Sequence, residues 1–300
     1  MKLVQFSVNG GSPRLGILQG DRIADVQASV AASLAGRGIV RAQEIAAALV
    51  PQSTRGFLEG GAATADAVAA VREWVTVPAA SARLHAPITD PGKFICIGLN
   101  YRDHAEETNN PIPKEPPIFG KWAPSIVGPG EPILRPRGSK QLDWEVELGV
   151  VIGRTARFVS KEQALDYVWG YTIINDASAR DFQFITTQWM AGKIFETAAP
   201  VGPYIADRAE IPDPHNLELK TFVNGKQMQK GNTKTFIFDV RYLVSYLSGL
   251  MTLSPGDLIA TGTPPGVGLG MKPPVFMNPG DTCRVEITNL GSLENPVKDA

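Results

Sequence analysis

The chain has 300 residues, 43% of them apolar, and a formal net charge of −1. That content supports a substantial core, and the near-neutral charge gives no electrostatic footprint for nucleic acid or a membrane surface. With two cysteines, Cys96 and Cys283, there is neither a disulfide framework nor zinc-type spacing. No apolar run reaches transmembrane length, and Met1-Lys2-Leu3-Val4-Gln5-Phe6 lacks a signal-peptide core. A cytoplasmic location is therefore expected, with no membrane and no nucleic-acid partner.

Residues 1–26 read as short strands, Lys2 to Val8, Arg14 to Gln19 and Arg22 to Val26, with Gln19-Gly20-Asp21 as a tight turn. Residues 27–76 are Ala-rich and helical in pattern, as in Ala42 to Val50 and Ala62 to Val75. Pro78, Pro87 and Asp90-Pro91-Gly92 punctuate a connecting stretch. A small α+β domain is predicted over 1–80 and a second domain over 81–300.

In the second part, strands are predicted at Phe94 to Gly98, Ile133-Leu134, Asp143 to Ile152, Val168 to Asn175 and Leu217 to Val223. Asn224-Gly225 is a two-residue hairpin signal. An apolar helix is expected over Phe238 to Leu250, then strands at Leu258 to Thr261 and, last, Thr282 to Ile287. Strands of mixed spacing with few long helices argue against a doubly wound fold. The fold class predicted is α+β and β-rich: an irregular β-roll or sandwich behind a small α+β N-terminal domain.

The run Trp144-Glu145-Val146-Glu147-Leu148 carries the strongest chemical signal. On a strand, residues two apart share a face, so Glu145 and Glu147 would project side by side. Two such carboxylates require either a solvated face or a cation between them. The apolar continuation to Ile152 favours a buried sheet, hence the cation. Asp176, at the polar end of an apolar strand, is either a helix cap or a third ligand in an all-oxygen Mg²⁺ or Mn²⁺ site.

His104 and Glu107, three apart on a short helical turn, form either a surface ion pair or an oriented general base. Arg180 and Lys193, with Gln183 between them, are surface charges unless a metal lies close, where they would hold an anionic substrate. Thr261-Gly262-Thr263-Pro264-Pro265-Gly266-Val267-Gly268 matches neither a dinucleotide fingerprint nor a P-loop. It is either a plain turn or a loop whose N–H groups grip a carboxylate. His85 and His215 read as structural.

Together these segments resemble the fumarylacetoacetate hydrolase superfamily, in particular the branch of bacterial and mitochondrial proteins described as fumarylacetoacetate hydrolase domain-containing protein 2. The likeness covers about residues 90–290. It rests on Cys96 to His104, Pro111 to Pro116, Asp143 to Leu148, Ser178 to Gln183 and Thr261 to Gly268, in that order. The resemblance implies a mixed β-sandwich roll, a homodimer, and Mg²⁺ or Mn²⁺ held by Glu145, Glu147 and Asp176. It also implies a His104–Glu107 dyad on a lid that orders with ligand, and a substrate site lined by Lys193, Arg180, Gln183 and Thr261.

The implied activity is hydrolytic C–C cleavage of a small-molecule 2-oxo acid, a 2,4-dioxo acid of acylpyruvate or deoxy-sugar-acid type, giving pyruvate and a carboxylic acid. In that reaction Lys193 would steady an oxyanion. Decarboxylase, isomerase or hydratase chemistry on a related 2-oxo acid such as oxaloacetate is the alternative, and a non-catalytic metal-binding paralogue a third. One departure is Leu99, where shorter acylpyruvate-cleaving relatives carry an arginine.

Overall fold

The computed structural model describes residues 1–107 and 111–300. Strands β1 (Lys2–Val8), β2 (Arg14–Gln19) and β3 (Arg22–Asp25) form an antiparallel meander, with β2 and β3 closing on Gly20-Asp21 as the turn signal predicts. The Ala-rich stretch becomes four short helices, α1 (Val26–Gly36), α2 (Ala42–Leu49), α3 (Thr54–Glu59) and α4 (Gly61–Ala69). Helix α4 stops short of the predicted Val75. Val71 is buried in the core, and Thr76 opens β4 (Thr76–Pro78), which pairs with β3. Strand β5 (Ala82–His85) folds back onto β1.

Then follow β6 (Phe94–Ile97), α5 (Arg102–Glu107), β7 (Ile118–Gly120), β8 (Ile126–Val127) and β9 (Ile133–Arg135). The strand predicted from Asp143 is interrupted: Trp144 and Glu145 lie between β10 (Leu142–Asp143) and β11 (Val146–Ile152). Strand β12 (Val168–Asn175) matches its predicted bounds. Next come β13 (Ser178–Ala179), α6 (Arg180–Gln183) and β14 (Ala199–Asp207). Asn224 and Gly225, both at positive φ (50° and 79°), turn β15 (Glu218–Val223) into β16 (Lys226–Asn232). The chain closes with α7 (Val240–Leu250), β17 (Leu258–Ala260), β18 (Thr282–Ile287) and β19 (Gly291–Asp299). Thr282 to Ile287 is thus not the last strand.

The largest sheet among the described residues runs β4-β3-β2-β1-β14-β12-β11-β17-β6-β7, with β5 beside β1 and β8 beside β14. Hydrogen bonds cross the boundary drawn at residue 80: Lys2 faces Ala206 and Leu3 faces Ile205 between β1 and β14. A second sheet runs β16-β15-β18-β19-β9.

Period-2 alternation sorts β11 onto two cores. Val146, Leu148, Val150 and Ile152 pack with Leu243, Val244 and Leu247 of α7 and with Val285 and Ile287 of the second sheet. Val151 and Ile174 join Leu15, Val30 and Phe57 on the other face, under the N-terminal helices. Each such side chain fully buried is worth roughly 1.5–3 kcal/mol. The architecture is the β-rich α+β sandwich that the strand pattern predicts. No helix among the described residues is long and apolar enough to cross a membrane.

Candidate active site

Antiparallel register assembles the acidic cluster. Glu147 lies opposite Ile174, and the Asp176 N–H donates to the Glu145 carbonyl at 2.9 Å. Directly opposed residues project from the same face, so Asp176 joins Glu145 and Glu147 there. One oxygen from each carboxylate lies within 4.8 Å of the others, and the residues are 5%, 1% and 0% exposed. Asp176 does not cap a helix: β13 follows it, and α6 starts at Arg180 behind Ala179.

Three buried cations surround the cluster. Lys193 Nζ donates to Glu145 Oε2 and Asp176 Oδ2, both at 2.8 Å. Lys121 Nζ lies 2.8 Å from Asp176 Oδ1 and also donates to the carbonyls of Ala177, Lys193 and Ala198. Arg180 pairs with Glu145 (2.6 Å) and Asp143 (2.8 Å), and donates to Gln183 Oε1 at 2.9 Å. Burial pushes the Glu145 carboxyl up, but Lys193 and Arg180 outweigh it and hold the group down at about 2. Burial alone would lower the Lys193 ammonium; Asp176 and Glu145 raise it above its ordinary value. These two carboxylates hold Lys193 as an ammonium in this arrangement.

Glu147 differs. Its carboxylate accepts the Gly262 N–H at 2.8 Å. Burial, then Asp176 and Glu145, push its carboxyl well above the usual range. Were Glu147 ionised, four buried carboxylates (Asp143, Glu145, Glu147, Asp176) would face three buried cations among the described residues, an imbalance of one negative charge in a low-dielectric setting. A hard divalent cation with oxygen ligands fits that deficit.

The His104–Glu107 turn sits beside this cluster. Asn100, fully buried, donates through Nδ2 to the carbonyls of Phe238 and Thr261 (2.9 and 2.7 Å) and accepts the Phe238 N–H at 2.7 Å. That clamp anchors the start of α5. His104 Nδ1 meets Glu107 Oε2 at 3.3 Å, and His104 is 7% exposed. The Gly-rich loop does grip carboxylates, but they are the protein's own. Gly266 N–H goes to Glu107; Gly268 and Leu269 donate to Asp143 at 2.7 and 3.0 Å. The glycines are needed there: a Cβ on Gly266 (φ +99°) would fall 2.2 Å from the Met228 carbonyl oxygen.

A cavity of about 270 Å³ is lined by His104, Glu145, Glu147, Arg180, Gln183 and Lys193 together with apolar side chains. That volume lies near the low end for ligand pockets, about 300–1,000 Å³, and suits a small acid. Thr261 is a correction. It does not line this cavity, because its hydroxyl donates to the Leu148 carbonyl at 2.8 Å; Thr263, two residues on, does line it. Phe184 and Trp189 line it as well. A proline-rich stretch, residues 109–117, follows α5 in the sequence, and its residues 109 and 110 lie outside the described residues.

Lys121 and Asp143 went unnoticed in the sequence. Asp143 carried a weak signal, two residues before Glu145. Lys121, in Phe119-Gly120-Lys121-Trp122, carried none.

A family model for the fumarylacetoacetate (FAA) hydrolase C-terminal domain matches residues 93–298. The chain belongs to the fumarylacetoacetate hydrolase family. Among relatives in the family, the mitochondrial oxaloacetate tautomerase of Xenopus laevis is 43% identical over 305 residues, covering 99% of this chain and 90% of that one. The solved fumarylacetoacetate hydrolase of the psychrophile Exiguobacterium antarcticum superposes with a TM-score of 0.83 at 35% identity, over the whole of both chains. Maleylpyruvate hydrolase of Sphingobium sp. SYK-6, solved with manganese(II) and pyruvate, gives 0.77 at 30% identity, again over both whole chains. The family fold thus spans the chain from end to end, and its similar members include hydrolases and a tautomerase.

Proposed function

We propose that the protein is a divalent-metal-dependent hydrolase that splits the C–C bond of a 2,4-dioxo acid into pyruvate and a carboxylic acid. One observation carries the reading: the His104–Glu107 dyad and the buried Glu145–Glu147–Asp176 cluster adjoin the same small cavity. Mg²⁺ or Mn²⁺, held by those three carboxylates, would supply Lewis-acid polarisation of a 2-oxo acid's oxygens.

The protein's own groups account for the rest. Glu107 holds His104 through Nδ1, so Nε2 is the ring nitrogen that takes a proton from water. The water oxygen bonds to the distal carbonyl carbon. The bond between that carbon and the methylene then breaks, its electron pair passes to the methylene carbon, and the proton on His104 returns there. Arg180, paired with Gln183 at the cavity wall, orients an anionic substrate. Lys193 keeps a fixed positive charge beside the reacting oxygens.

Tautomerisation of a 2-oxo acid is the second reading, favoured by the 43% identity to the oxaloacetate tautomerase. It uses the same proton transfer at the methylene carbon without an attacking water. One experiment separates the two: Mn²⁺-loaded protein is given acylpyruvates and enol-oxaloacetate, following pyruvate release and enol absorbance in parallel. Pyruvate release supports hydrolysis. Loss of the enol signal without cleavage supports the second reading, and no change in either assay defeats both.

A further inference from the structure

One wall of the cavity is aromatic and apolar, and it is built around a missing side chain. The Trp189 ring lies against the bare backbone of Gly98: a Cβ there would come within 2.3 Å of Trp189 Cζ3 and 2.9 Å of Cη2. Phe119 meets Trp189 edge-on, with ring centroids 5.8 Å apart at 72°. Lys193 Nζ stands 5.1 Å from the Phe119 centroid, so the wall begins where the acidic cluster ends. Leu99, in the left-handed region at φ 49°, adds its side chain to the same lining, and Phe184 completes the rim while 56% exposed. A bulky residue held at that φ marks a conformation maintained by its surroundings.

Three polar side chains of the cavity, Arg180, Lys193 and Thr263, are already engaged within the protein. Arg180 is engaged by Asp143, Glu145 and Gln183, and Lys193 by Glu145 and Asp176. The Thr263 hydroxyl donates to the Val146 carbonyl and accepts from Gln229. A substrate arm rich in hydroxyls would find few partners beyond the acid-binding end. Hydroxyls buried without partners lose affinity.

We propose that Phe119, Trp189 and Leu99 form the subsite for the substrate's acyl arm, which selects an acylpyruvate with a small apolar acyl group over a polyhydroxylated, sugar-derived 2,4-dioxo acid. The inference rests on the hydrolase reading for the position of the acyl arm, and it is tested by binding as well as by turnover. Calorimetric titration of Mn²⁺-loaded protein with unbranched 2-oxo acids of increasing length needs no cleavage. Affinity is expected to rise about fourfold per methylene until the cavity is filled. Counterparts hydroxylated along the chain are expected to bind about tenfold more weakly.

In Gly98→Ala, whose Cβ displaces the Trp189 ring from its place, and in Trp189→Ala, which removes the wall, the ratio of long-acid to short-acid affinity should fall toward one. A flat length dependence in the unaltered protein, or equal binding of hydroxylated and apolar acids, would overturn the proposal without any variant having to fold. Length-dependent binding with no pyruvate released from acylpyruvates would instead defeat the hydrolase reading and leave the subsite standing.

Discussion

Both carboxylate oxygens of Glu107 accept the backbone N–H of Gly266, at 2.9 and 3.1 Å. The residue that orients His104 is thus oriented in turn by the loop that also lends Thr263 and Leu269 to the cavity lining. Gly270 is close by: a Cβ added there would lie 2.6 Å from the Glu107 side chain. Gly270→Ala is expected to displace Glu107 and lower kcat by about tenfold to a hundredfold, the scale for a misplaced acid–base group. Mn²⁺ binding, followed by electron paramagnetic resonance, should persist. A wild-type kcat would show that the loop does not set the dyad.

The dyad and the acidic cluster should separate cleanly by mutation. Glu145→Ala is expected to abolish Mn²⁺ binding and turnover together. His104→Ala should bind Mn²⁺ yet lose at least about a hundredfold in C–C hydrolysis. Full turnover by the His104→Ala protein would remove His104 from the mechanism.

Lys121 lies wholly inside, spending its ammonium on Asp176 and three carbonyls. Replacing it with methionine leaves Asp176 buried beside a lost charge. Breaking a buried pair costs about 3–5 kcal/mol. Lys121→Met should therefore unfold at a lower temperature in calorimetry, and by more than any exposed lysine substitution. An unchanged Tm would mean that the carbonyls alone secure this corner.

His215 predicts a pH dependence. Its Nε2 accepts the Val240 N–H at 3.2 Å, at the start of α7, which requires a neutral nitrogen. Burial lowers its pKa below the ordinary 6.5, against the opposing pull of Asp239 and Asp213. A depressed folded value means the contribution is complete above pH 6.5 and is lost as pH falls through the lower folded value. About 1 kcal/mol, one hydrogen bond, is at stake. Urea denaturation of His215→Gln, whose amide oxygen accepts without titrating, should show a shallower loss of stability below pH 6.5 than the unaltered chain.

What could be read in advance follows from how local each signal was. The strands carrying Glu147 and preceding Asp176 were legible because alternation and apolar runs are local. Their register was not, and it is register that sets Asp176 opposite Glu145. Strand β14 was missed because Pro200, Gly202 and Pro203 argue against a strand in the middle of a sheet, yet it lies between β1 and β12. Strand β19 hid behind Pro296 and its charges. The dyad spacing was visible, whereas the partner of Glu107 in a loop 159 residues away was not. The resemblance implied Thr261 at the substrate site, and only the tertiary fold shows that its hydroxyl is taken up by the Leu148 carbonyl.

The pairing of β1 with β14 gives the first eighty residues a task that their sequence does not advertise. They cover an edge two strands from the one that carries Glu147. A shortened protein beginning near residue 81 would bare the unpaired backbone of β14, along with apolar surface at Val201 and Ile205 that the N-terminal helices and strands now shelter. Bare strand edges recruit other chains. Such a fragment is expected to self-associate on size-exclusion chromatography rather than serve as a minimal catalyst, so truncation is a poor route to isolating the chemistry.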